Sequence, residues 1–263
     1  MKLRRMGRLG LGIMMLVFVV GSAIAQDEPV FSAEITLDYN SNYIWRGIQV
    51  NDESVFQPGV SGSAYGFTGS IWANIDMTDY AGTQGEFSEI DYALDYSGAL
   101  GDSVVGYSVG VIHYLFPTVG ATDASTTEIY GGLSFDVPLS PFITWYGDVN
   151  AIDGSYIQMG VGHSLEMELA PDYSVGLDLS GSFAFASSGY NNGYFGVNEA
   201  KWNDFTFGVG VPFNLKHVTI TPSLNVATFL DDTIADAHAV TYGSDELADR
   251  TNVWFGVSLS KSF

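Results

Sequence analysis

From residue 31 onward the chain alternates between greasy and wet positions. Phe31, Ala33, Ile35, Leu37, Tyr39, Tyr43 and Trp45 are apolar or aromatic, and Ser32, Glu34, Thr36, Asp38, Asn40 and Asn42 stand between them. A strand sends successive side chains to opposite faces, so such a segment has one apolar and one polar face. The division recurs. Phe67, Ile71, Ala73 and Ile75 oppose Thr68, Ser70, Trp72, Asn74 and Asp76. Ile129, Leu133, Phe135 and Val137 oppose Glu128, Tyr130, Ser134 and Asp136, and Val253, Phe255, Val257 and Leu259 oppose Asn252, Gly256, Ser258 and Ser260. After the N-terminus no long segment carries apolar residues at helical spacing, and no apolar run is long enough for a membrane helix.

Cutting the chain by this period predicts twelve strands, near 31–48, 55–65, 67–77, 86–97, 102–116, 125–137, 142–150, 155–167, 173–187, 203–214, 218–230 and 251–263. The connections alternate between short turns and longer polar loops, as in outer-membrane barrels. In hydrocarbon every backbone N–H and C=O must pair within the protein, so a spanning sheet has to close on itself. Its outward side chains then meet lipid and its inward ones meet water. The fold expected is an all-β, closed antiparallel transmembrane β-barrel of about twelve strands, occupying residues 26–263. A soluble β-sandwich also alternates, but its strands are shorter and its dry core would not tolerate an acid on nearly every strand. Aromatic residues at strand ends (Tyr39, Tyr43, Trp45, Tyr114 and Trp145) are expected in interfacial girdles.

The N-terminus breaks the alternation. Lys2, Arg4, Arg5 and Arg8 precede an apolar run from Leu9 to Val20 and a Ser22-Ala23-Ile24-Ala25 end, so residues 1–25 read as a secretory signal peptide. The 263-residue chain carries a net charge of −21. Loss of the leader leaves Arg46, Lys201, Lys216, Arg250 and Lys261 against thirty acids, a net of −25. That charge excludes a nucleic-acid partner. The absence of Cys excludes a disulfide scaffold, a zinc–thiolate site and a Cys nucleophile. No cofactor is expected. Outer-membrane lipid and lipopolysaccharide are the expected partners outside the barrel, and small solutes or cations inside it.

The first third of the mature chain resembles the TorF porin family of Gram-negative outer-membrane barrels. The resemblance lies in Ser41-Asn42-Tyr43-Ile44-Trp45-Arg46-Gly47-Ile48, Gln57-Pro58-Gly59-Val60, Gly69-Ser70-Ile71-Trp72-Ala73-Asn74 and Glu89-Ile90-Asp91-Tyr92. It implies a porin-like barrel without an established substrate, with Arg46-Gly47 at the centre of the motif. The family often has a Ser soon afterwards, where this chain has Gln49-Val50.

The inward set by parity contains Glu34, Asp38, Asp76, Glu89, Asp91, Asp95, Glu128, Asp136, Asp148, Glu166 and Asp178, with Arg46 as the one cation. A low-dielectric wall lined by one sign of charge concentrates counter-ions, so these are candidate lumen and selectivity residues for a cation-preferring channel. Continuous parity puts Arg46 on the wall near the extracellular rim, either as a constriction charge or bracing Asp76 or Glu89. Loops 188–203 and 231–250 are long enough to enter the lumen. The second carries Asp231, Asp232, Asp236, Asp245, Glu246 and Asp249, which read as a solvated acidic loop or a divalent-cation site. The rival readings are a scaffold barrel interacting with cell-wall machinery and an outer-membrane enzyme. For the enzyme, none of His113, His163, His217 and His238 stands in a recognisable Ser/His motif.

Overall fold

The computed structural model describes residues 31–79, 82–119, 124–242 and 249–263, so the expected leader, residues 1–25, lies outside the described residues. Among the described residues fifteen strands and two helices follow one another. They are β1 (Ser32–Asn40), β2 (Tyr43–Trp45), β3 (Ile48–Asn51), β4 (Val55–Ala64), β5 (Phe67–Asp76), β6 (Phe87–Ala99), β7 (Val105–Leu115) and β8 (Ser125–Phe135). Then come β9 (Phe142–Asp148), β10 (Ser155–Ala170), β11 (Tyr173–Ala186), α1 (Ser188–Phe195), β12 (Lys201–Gly210), β13 (Phe213–Leu215), β14 (Val218–Phe229), α2 (Asp232–Tyr242) and β15 (Thr251–Ser262).

Every wall strand pairs antiparallel with its neighbours, and β1 pairs with β15, from Glu34↔Ser262 to Asn40↔Gly256. The pairing of β10 with β11 completes the circuit, so the wall is a closed cylinder. β12 and β13 are two pieces of one stave, interrupted at Val211-Pro212 and both flanked by β11 and β14. The wall thus has twelve staves. The predicted strands match these staves to within a few residues at most ends. The exception is the first, which ends at Asn40 instead of running to residue 48.

The cylinder is inverted relative to a soluble domain. Its outer face shows Ile35, Val60, Leu94, Leu133, Leu165, Leu224 and Val253 to the surroundings. Water would not tolerate so continuous an apolar belt on a monomer, but hydrocarbon requires it. The largest buried side chains, including Trp45, Tyr114, Tyr156, Tyr190 and Phe229, belong to the interior. In a single-layered closed wall, a buried side chain on a stave faces the lumen. Three of the girdle expectations are corrected: Tyr114 faces the lumen on this ground, and Tyr43 and Trp45 are buried on β2, outside the wall ladder, whereas Trp145 stands on the outer face. The short turns gather at one rim. An example is Tyr65-Gly66, both at positive φ, which joins β4 to β5 in two residues.

Candidate functional site: the lumen and its plug

Three segments leave the long-loop rim and pack inside the barrel. The first is the β2–β3 hairpin. Its two central residues, Arg46 and Gly47, have φ of 46° and 79°, the pattern of a type I′ turn. The hairpin leaves the ladder after β1 and carries Arg46 inward. This corrects the parity reading, which treated 41–48 as continuing wall and offered Asp76 or Glu89 as partner. The Arg46 guanidinium instead donates from Nη1 and Nη2 to Oε1 and Oε2 of Glu128 on β8, at 2.9 and 2.8 Å. It also lies against the rings of Tyr156, Trp45, Tyr146 and Tyr190, 4.2 to 5.6 Å from their centroids. Tyr114 adds a third bond, donating to Glu128 Oε2 at 2.9 Å.

The second segment is α1. Ser187 caps it by accepting from the Tyr190 N–H, and Gly196 ends it in the left-handed conformation. Tyr190, Tyr194 and Phe195 join Trp45, Ile48, Tyr114, Tyr156 and Phe229 in one buried apolar cluster. The third is α2, which adds Ile234 and Ala235. Its His238, with no exposed surface, lies beside Phe229 and Phe195 at ring separations of 4.8 and 6.4 Å. Burial lowers the His238 pKa from 6.5 to about 4, so the ring is neutral at pH 7. The sequence left open whether loops 188–203 and 231–250 enter the barrel. Each supplies a helix to this plug.

The predicted acids divide by height in the barrel. Asp76, Glu89, Asp91, Glu128 and Asp148 are buried around the plug. Asp76 accepts from Asn51 of the hairpin at 3.0 Å and from Thr83 at 2.6 Å, and Glu89 accepts from Tyr43 of the hairpin at 3.1 Å. Asp148 folds the 149–154 connection: its Oδ1 accepts the amides of Asn150, Ala151 and Ile152 at 2.9 to 3.0 Å. Glu34, Asp38, Asp95 and Asp178 are half-buried below the plug, where the wall offers small neighbours such as Ser61, Ser164, Gly210 and Ser258. Asp95 accepts from Tyr130 at 2.7 Å.

Two acids sit away from this interior. Asp136 follows the end of β8 and is exposed on the short-turn rim, because the strand stops at Phe135 before Pro138. Glu166 is exposed near the same rim, bonded to Asn214 at 3.0 Å and to Ser174. Sequence reasoning missed Asp204, a buried acid on β12 that accepts from Tyr156 at 2.8 Å. It shares parity with Thr206 and Gly208, so alternation contained the signal.

Of the histidines, His113 bonds Thr127 at 3.0 Å on the outer face, His163 and His217 are exposed, and His238 is in α2 instead of a loop. In the acidic segment Asp231 pairs with Lys201 at 3.3 Å and Asp232 with Arg250, whereas Asp245 and Glu246 lie outside the described residues.

A closed antiparallel wall with an apolar outer face defines a β-barrel of the outer-membrane kind. The chain belongs to the Gcw_chp family, described as a bacterial protein of unknown function, whose profile matches residues 23–263. Among solved structures, the fold is similar to the NanC porin, with a TM-score of 0.53 and 13% identity over 87% of this chain and 98% of that one. The KdgM porin in complex with disordered oligogalacturonate gives a TM-score of 0.48 and 11% identity over 88% and 99%. The COG4313 outer membrane channel from Pseudomonas putida F1 gives 0.43 and 9% over 93% and 100%. No curated protein matches at the level of sequence.

Proposed function

We propose that the protein is an outer-membrane channel for passive diffusion of small solutes, cation-preferring, with a displaceable plug at its long-loop end. The observation that carries this reading is the half-buried set of acids Glu34, Asp38, Asp95 and Asp178 on the lumen face of a closed barrel. With no basic side chain among those four, the field there favours cations and opposes anions. Twelve staves enclose a passage between the side-chain-filled eight-stranded barrel and the wide sixteen-stranded porin. The porin-type fold and the resemblance of residues 33–97 to the TorF porins support the same reading, and neither identifies a solute.

A salt-gradient measurement in a planar bilayer tests it. The reversal potential of the full mature chain should have the sign of cation preference, and clear anion preference would refute it. The packing of the plug favours one alternative, a closed scaffold at the outer membrane. A bilayer that stays silent for both the native protein and Arg46→Ala would select the scaffold.

A further inference from the structure

At its short-turn rim the barrel wall has a place where the ladder stops early. β9 and β10 pair only from Ser155↔Gly147 to Gly160↔Phe142, and one more bond joins the Gly162 N–H to the Leu139 carbonyl at 2.9 Å. β10 continues to Ala170 and stays paired with β11 as far as Ala170↔Tyr173. Residues 163–170 therefore form a one-sided edge at the short-turn rim. Backbone groups along a strand point to alternate neighbours. Since Gly162 faces the edge, Ser164, Glu166 and Glu168 turn their N–H and C=O groups the same way. Among the described residues no strand reaches them.

Two demands conflict here. Leu165, Met167 and Leu169 stand outward, 53% to 63% exposed, with Tyr173 beside them at the turn. That stripe belongs in hydrocarbon or against protein. The open edge, however, cannot stand in hydrocarbon, because its polar groups would have no partner. Lipid leaves the backbone unsatisfied, and water leaves the stripe exposed. A strand added from outside meets both demands.

We propose that the 163–170 edge of β10 is a docking site for an extended segment of another protein, in which apolar residues alternate with Lys or Arg. Guest side chains opposite Ser164, Glu166 and Glu168 share a face with two exposed carboxylates, which favours basic residues there. The intervening guest residues extend the Leu165–Met167–Leu169 stripe.

A second copy of this chain does not fit. Antiparallel pairing of β10 with itself places the two-fold axis perpendicular to the sheet, hence in the membrane plane, and turns one barrel upside down. Parallel pairing needs an axis along the strands, which are tilted in a membrane barrel, so it cannot keep both barrels upright. The inference rests on the outer-membrane placement and not on conduction, so a silent bilayer leaves it standing.

The test places a photoreactive benzophenone side chain at Glu168 of the full-length protein and irradiates intact cells. The expected product is an adduct to a protein segment of alternating apolar and basic residues. Proline at position 166 removes an edge-facing N–H and leaves the β11 ladder whole. Glu166→Pro should weaken the adduct at least about tenfold, as should the charge reversal Glu166→Lys, while the heat-modifiable gel mobility of the folded barrel persists. Adducts only to lipid or to another copy, a protein adduct that survives both substitutions, or no adduct at all from a folded barrel would each overturn the proposal.

Discussion

Arg46 combines a two-pronged ion pair with four aromatic rings in a site closed to solvent. Removing one partner of such a pair strands the other charge, at about 3–5 kcal/mol. Arg46→Ala should therefore release the hairpin from Glu128, lowering the melting temperature and raising single-channel conductance. Arg46→Lys keeps the charge but loses the fork and the stacking, so it should fall between the two. His238 sets a pH dependence through the same plug. Its folded pKa lies below its free value, so between pH 6.5 and about 4 the detached segment binds more protons than the docked one. Docking of α2 is then complete above pH 6.5, weakens as the pH falls, and levels off near 4. The full loss is about 3 kcal/mol at 1.36 kcal/mol per pKa unit. Proteolysis of the 231–250 segment should accelerate across that window, and His238→Phe should flatten the response.

Among the elements, the hairpin and α1 depend on close backbone approach. A Cβ at Gly47 would lie 2.9 Å from Phe229 Cε1, at a φ of 79° that side chains resist. A Cβ at Gly189 would meet the Asp153 carbonyl oxygen at 1.8 Å, a backbone atom with no room to yield. Gly189→Ala should lift α1 off the 149–154 connection and expose Trp45, which acrylamide quenching of tryptophan fluorescence would report. The native protein should keep that ring shielded. The staves were legible because each obeys a period of two with one face in lipid. The hairpin was not, because Tyr43 and Trp45 continue the same parity across the bend at Ser41-Asn42. Its Arg-Gly turn also lacks the Asn-Gly or Asp-Gly pair that marks most type I′ turns. Neither α1 nor α2 announced itself, since α1 mixes Gly, Asn and Tyr without a sustained apolar stripe and α2 is a short Ala-rich segment set among the acids of a long loop.

At the scale of the whole molecule, the two halves of the lumen are lined differently. The long-loop half is packed, and the short-turn half is lined by small polar groups and half-buried acids. If the lower ring sets the ion preference, Asp95→Asn with Asp178→Asn should reduce cation selectivity in the reversal-potential measurement. Asp136→Asn, out on the rim, should leave it nearly unchanged. Alternation by itself determined the closed wall and the number of staves, because lipid and water act on every second residue along the strand. It could not decide that Arg46 meets Glu128 across the barrel, or that two loops turn inward and fold into helices. The Arg46–Glu128 pair joins residues 82 positions apart, and the plug as a whole is assembled only when the cylinder closes and leaves an interior to be filled.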